Sequence, residues 1–214
     1  MNHYVAVFCK IFSEKIDIIF DLLRFRSYNG YMKQINNDIL TRCKTGDKNA
    51  FRILVQTYQR MVFSLSLKML CDEDAAKDVV QDTFLKVWQN IAKYDERMSM
   101  STWIYTIASH ICLDKLKKMK RVSLLPDDEL VFRAFVENTN AQTEMENKQW
   151  VAVVKTLAEG LSEKQKLVFT LCQLEGLDTS EVEEITGLNA KQIKSNLYVA
   201  RQTIREQLKK MGYE

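Results

Sequence analysis

Apolar positions recur along this chain with the spacing of helices, in blocks separated by short polar breaks. Gly46 and Asp47 end one short helix and cap the next, so a long amphipathic helix is predicted over "NAFRILVQTYQRMVFSLSLKML". A second follows in "CDEDAAKDVVQDTFLKVWQNIAKY", where Asp72 to Asp74 place acids at the positive end of a helix. After the polar loop "YDERMSMS", Ser101 is expected to cap "TWIYTIASHICLDKLKKMKR", whose Ile104, Ile107, Ala108 and Ile111 form one stripe. Further on, the pairs Ser162 and Gln165, Asp178 and Glu181, and Asn189 and Gln192 have capping-box spacing, and Gly176 and Gly187 supply helix stops. The last block carries Ile193, Leu197, Ala200, Ile204 and Leu208 at i, i+4, i+7, i+11 and i+15.

The pattern breaks once on a larger scale. Pro126, the only proline, opens "PDDELVFRAFVENTNAQTEMEN", where Asp127, Asp128, Glu129, Glu137, Glu144 and Glu146 face Arg133 alone. That composition is a linker's. The expected architecture is all-α, with two small helical domains at 32–121 and 148–214 joined by an acidic linker at 122–147. Residues 1–31 form an N-terminal extension with two readings. Either "HYVAVFCKIFSEKIDIIFDLLRF" is an amphipathic helix, or translation starts at Met32 and the upstream residues are a gene-calling artefact. Lys10, Glu14, Lys15, Asp17 and Asp21 interrupt it too often for a transmembrane span or the core of a signal peptide.

Composition narrows the chemistry. With one proline and six glycines in 214 residues, a turn-rich β-protein is excluded, and 46% hydrophobic content excludes general disorder. The five cysteines lie far apart, with no pair at metal-ligand spacing, and are read as reduced thiols in a cytoplasmic protein. His3 and His110 are the only histidines, so no metal site, catalytic cluster or cofactor is expected. A net charge of +3 is too small to define a polyanion partner, and the distribution of charge has to decide.

That distribution is uneven. On the helix from Asp74 to Ile91, Ala76, Val79, Val80, Thr83, Phe84, Val87 and Trp88 cover one side, while Asp78, Gln81, Asp82, Leu85 and Gln89 fall on the other. An acidic face with an exposed leucine suits a protein partner. The next helix ends in "DKLKKMKR", where Lys115, Lys117, Lys118, Lys120 and Arg121 face Asp114 alone, downstream of Trp103 and Tyr105. Cations beside aromatic rings suit a separating nucleic-acid duplex, whose phosphates need neutralising and whose bases stack. Near the C-terminus Val182, Gly187, Leu188 and Ile193 frame a helix-turn-helix. Its second helix turns Lys191, Gln192, Ser195 and Tyr198 away from the core, with Lys194 and Arg201 at the border. Base-edge donors flanked by cations are what a major-groove helix needs.

Together these motifs resemble the bacterial sigma factors of the extracytoplasmic-function (ECF) group, from about Asp38 to Glu214. "AAKDVVQDTFLKVWQNI" is similar to the segment with which that family grips the β′ clamp helices of core RNA polymerase. The resemblance gives that role to Asp78, Gln81, Asp82 and Leu85. "STWIYTIASHICLDKLKKMKR" resembles the helix that melts and reads the −10 promoter element, which implicates Trp103, Tyr105, His110, Lys117, Lys118 and Arg121. The C-terminal block resembles the domain that binds the −35 element and the β flap, with Lys191, Gln192, Lys194, Ser195, Tyr198 and Arg201 on the DNA. The resemblance implies a non-enzymatic initiation factor whose partners are core polymerase, promoter DNA and an anti-sigma protein, with no small-molecule substrate.

Some positions depart from the family pattern. Glu183 stands where a small residue is usual and is expected to tilt the helix-turn-helix unless its stem snorkels outward. His110 replaces a common asparagine, and Asn196, Tyr198 and Val199 replace residues that are often basic or histidine, implying a different −35 sequence. A stand-alone helix-turn-helix regulator is the main alternative, and a helical protein-interaction module a third reading. The acid-and-leucine face and the aromatic-basic helix weigh against a simple repressor, which needs neither.

Overall fold

The computed structural model describes residues 35–122, 155–158 and 160–210, so the N-terminal extension and the acidic linker lie outside it. Local chemistry explains each helix of the first unit. Asn36 caps α1 (Asn37–Lys44) by accepting from the Asp38 N–H, and Asp47 caps α2 (Lys48–Leu70) by accepting from Asn49 and Ala50. The Arg42 guanidinium, 2.7 Å from the same Asp47 carboxylate, ties the two helices together. Cys71 ends α2 in the left-handed region, and Asp72 at once caps α3 (Glu73–Asn90) through the Ala75 N–H. A 3₁₀ turn (Ile91–Lys93) and a polar loop lead into α4 (Met100–Val122). Here the structure corrects the expected cap: Ser99, not Ser101, starts α4, its Oγ accepting from the Thr102 N–H and its carbonyl from the Trp103 N–H.

The second unit contains α5 (Glu163–Phe169), a π turn (Thr170–Leu174), α6 (Thr179–Thr186) and α7 (Ala190–Lys210). Reciprocal capping boxes form at Ser162 with Gln165 and at Asp178 with Glu181. Asn189 and Gln192 make the same exchange at the start of α7, both bonds at 3.0 Å. Gly187 adopts φ 68°, where a side chain would be strained, and its N–H closes α6 on the Glu183 carbonyl.

Helices α2, α3 and α4 pack on one another around Leu54, Val62, Leu65, Met69, Val79, Val87 and Ile104. A smaller core, Leu157, Leu161, Phe169, Leu174, Ala200, Ile204 and Leu208, holds α7 against α5. The two units are not separate bodies. Leu167, Val168, Leu171, Val182, Ile185 and Ile193 belong to the same buried cluster as the first unit's core, and α4 lies along α6. Among the described residues no helix is long and apolar enough to cross a membrane.

Candidate functional site

The α3 face divides as its periodicity predicts. Ala76, Val79, Thr83, Phe84 and Val87 are buried, whereas Asp78, Gln81, Asp82, Leu85 and Gln89 are exposed, Leu85 by 58%. Beside Leu85 lies an open apolar cleft of about 370 Å³ lined by Phe51, Gln81, Phe84, Leu85 and Trp88, with Phe51 and Trp88 packed edge-to-face. Ile53, on the neighbouring helix α2, is exposed as well. This surface couples apolar area to carboxylates, the composition of a protein-binding face. Asp78 has an intramolecular partner, Lys115 of α4, at 3.0 Å, which leaves Asp82 as the acid on this face with the plainest exposure.

On α4 the expected residues part company. His110, Lys117 and Lys118 are exposed, and Trp103 is half-buried against Tyr94 with ring centroids 5.0 Å apart. Arg121 lies on the last turn, its side chain outside the described residues. Trp103, His110, Asp114 and Lys117 follow one another at i, i+7, i+11 and i+14, so they share one face. Lys44 sits 5.7 Å over the Tyr94 ring, bringing a further cation to the Trp103 end. Nearby, the loop after Tyr94 is shaped by Asp95, whose carboxyl is held down to about 2 by the Arg97 guanidinium and backbone.

Tyr105 does not join that face. It is 2% exposed, and its hydroxyl donates to Glu175 Oε2 of the second unit at 3.0 Å. The isoleucine stripe predicts a single buried face on α4, but Tyr105, Ser109 and Cys112 add a second buried row at i, i+4 and i+7. Tyr105 is covered because α6 packs along α4 and Glu175, just past the π turn, meets its hydroxyl, while Cys112 turns to Ser66 of α2, its thiol 3.7 Å from Oγ. Burial and the adjacent Glu175 carboxylate together push the Tyr105 phenol well above its ordinary range.

On α7, Lys191, Gln192, Lys194, Ser195, Tyr198 and Arg201 are all exposed, while Ile193, Ala200, Ile204 and Leu208 are buried. Tyr198, at 65% exposure, receives a hydrogen bond from Gln202, and Arg201 donates to Gln173 Oε1 at 2.9 Å. Gln192 does two things at once: its Oε1 accepts from the Asn189 N–H, and its amide nitrogen keeps two donors. Glu183 is only half-buried and leaves Val182 and Ile193 fully packed, so the turn accommodates it. Sequence reasoning missed Glu175, Lys68 and Tyr94. A glutamate inside the apolar run "LVFTLCQLEGL" was the available signal for the first.

Among the described residues no cluster of His, Cys, Asp and Glu side chains converges on a metal-sized point. What the geometry offers is two exposed surfaces on α4 and α7 with nucleic-acid chemistry, and one on α3 with protein-binding chemistry. Comparison with known proteins finds matches in both units. The family description Sigma-70 region 2 matches residues 54–122, and Sigma-70, region 4 matches residues 152–204. The chain is 25% identical over 182 residues to the ECF RNA polymerase sigma factor SigW of Bacillus subtilis (strain 168), covering 79% of this chain and 95% of that protein. It is 28% identical over 180 residues to the ECF RNA polymerase sigma-E factor of Haemophilus influenzae, covering 79% and 93%. Its fold is similar to CnrH in complex with the cytosolic domain of CnrY (TM-score 0.58, 20% identity, 80% of this chain and 95% of that one). It is also similar to the sigma factor RpoE of Bartonella quintana in complex with the anti-sigma factor NepR (TM-score 0.57, 22% identity, 74% and 96%). With both regions matched in sequence and ECF sigma factors aligned along 79% of its length, the chain belongs to the extracytoplasmic-function group of the sigma-70 family.

Proposed function

We propose that this chain is a promoter-specificity subunit of RNA polymerase. It binds core enzyme through α3, reads the −35 element with α7 and opens the −10 region with the exposed side of α4. One observation carries this reading: a single chain presents an acid-and-leucine face on α3 and a separate exposed recognition helix. Residues 32–121 act as the polymerase-binding and −10 domain, 148–214 as the −35 domain, and 122–147 as the tether. The subunit lends specificity and catalyses nothing itself, and it works where polymerase works, in the cytoplasm. Trp103, His110, Lys117 and Lys118 are the residues we assign to −10 DNA, on the strength of their position on the accessible side of α4, with Arg121 continuing the same helix.

Retention of core polymerase by the immobilised protein tests this reading. The wild type is expected to hold core enzyme, and Asp82→Lys to lose it with helicity unchanged, since an exposed substitution costs no more than about 0.5 kcal/mol. Normal core binding by Asp82→Lys removes the role given to α3. A stand-alone regulator would bind duplex DNA without polymerase, and an interaction module would bind neither. The two solved relatives were captured with CnrY and with NepR. By analogy we infer that an anti-sigma protein restrains this chain, and full promoter activity under every condition with no copurifying partner would refute that.

A further inference from the structure

Glu175 is the most deeply buried carboxylate among the described residues, 2% exposed, and it sits where the two units meet. Three partners of its carboxylate come from the first unit. Oε1 accepts from Lys68 Nζ at 2.7 Å and from Ser64 Oγ at 3.0 Å, both on α2, while Oε2 accepts from the Tyr105 hydroxyl on α4. Lys68 also donates to the Leu174 carbonyl at 3.1 Å, so the ammonium ties side chain and backbone of the second unit together. The π turn at Thr170–Leu174 delivers the glutamate: its N–H returns to the Thr170 carbonyl at 2.8 Å, five residues back. Such an extra residue within a helix commonly marks a functional position. At the rim Lys120 of α4 reaches Glu163 of α5 at 2.7 Å.

A carboxylate inside an apolar cluster is costly unless all its partners stay in place, and removing one partner strands the others. Apolar residues of similar size would hold two domains together at least as firmly. An ion pair there instead makes docking specific and separable, because both charges regain water when the units part. The second consequence concerns Tyr105, an aromatic ring on the helix assigned to promoter opening, whose hydroxyl is spent on Glu175.

We propose that Glu175, with Lys68, Ser64 and Tyr105, is a latch that closes the second unit over the first and withholds Tyr105 from nucleic acid until the units separate. The regulatory meaning rests on the promoter-opening reading; the latch itself does not. In the closed form α7 keeps its recognition residues exposed, so closure masks a surface of α4 and leaves the −35 face available.

Hydrogen exchange and small-angle scattering on the free full-length chain test the latch without polymerase or DNA. Glu175→Ala is expected to raise the exchange of amides around Ser64–Leu70 and Tyr105 by at least about tenfold and to enlarge the radius of gyration, with helicity retained. Glu175→Gln keeps an acceptor for Tyr105 and loses the ion pair, so an intermediate effect is expected. If Glu175→Ala loses helicity, Tyr105→Phe decides, since it deletes one hydroxyl: exchange faster by a few fold supports the latch. Wild-type exchange and dimensions in whichever variant stays folded overturn it. Failure of the wild-type chain to retain core enzyme would sink the sigma reading and leave this result untouched.

Discussion

Gln192 stands at a position where a structural and a reading role overlap, and two substitutions separate them. Its Oε1 satisfies the Asn189 N–H at the exposed start of α7, and the Gln192 N–H is satisfied in return by Asn189 Oδ1. Truncation to alanine removes one half of that exchange. Because Asn189 is exposed, water replaces the lost acceptor, and the cost falls at the low end of a hydrogen bond's net worth, about 0.5 kcal/mol. That lowers the melting temperature of a chain of this size by about 1–2 °C. The Gln192→Glu substitution keeps the acceptor, fits the capping box equally well and adds an acid at the positive end of α7, so this variant melts at or slightly above the wild type. The amide donors, however, are gone in both variants. If Gln192 reads a base, discrimination at one −35 position falls by about 1–3 kcal/mol, roughly 5- to 150-fold, in each. Gln192→Glu additionally weakens binding to every sequence, because its carboxylate faces phosphates. Holoenzyme binding to a promoter library randomised across the −35 element, beside thermal unfolding of the free proteins, reads both effects. If Gln192→Ala keeps the wild-type preference at every position while losing the small increment of stability, Gln192 is a cap and nothing more.

Other expectations follow from the same geometry. Tyr105→Ala removes a buried ring and one hydrogen-bond donor to Glu175, so a loss of about 3–5 kcal/mol is expected in denaturant unfolding; a change within about 0.5 kcal/mol, the size of an exposed-site effect, would contradict the burial. Lys194→Ala should lower the salt dependence of holoenzyme binding by about one ion without altering sequence preference, and an unchanged slope removes Lys194 from the phosphate contacts. Burial raises the thiols of Cys112 and Cys172 to about 11. The unfolded chain ionises its thiols first, near about 8.5. The stability these two groups contribute is therefore complete below that pH and is lost as pH rises towards 11. The wild type should lose more stability than a Cys112→Ala, Cys172→Ala double variant between pH 8 and 10.5, measured as denaturant midpoints, and parallel curves would refute the assignment.

Much of this molecule is decided within four or five residues of each position, and that part was legible in the sequence. Capping boxes at Ser162, Asp178 and Asn189 form because a side chain and a backbone N–H three residues apart meet in any helix start. The split of α3 into a buried Val79–Phe84–Val87 face and an exposed Asp82–Leu85 face follows from 3.6 residues per turn, as does the exposure of Lys191, Gln192, Ser195 and Tyr198 on α7. Ser99 rather than Ser101 caps α4 because the Ser99 hydroxyl meets the Thr102 N–H and its carbonyl the Trp103 N–H, while serines at both places offer the same chemistry to a reader of the sequence. Periodicity also assigns a helix the face that its own strongest stripe marks, and it cannot register a neighbour arriving from far along the chain. Tyr105 lies off the stripe of α4 and is buried nonetheless, by a segment 70 residues away. The same holds for Asp78, drawn to Lys115 across two helices, and for Glu175, whose partners lie 111, 107 and 70 residues distant. Only the packing of the second unit on the first determined that an aromatic ring expected to face DNA closes over a buried carboxylate, because that contact depends on which surfaces the folded helices bring together.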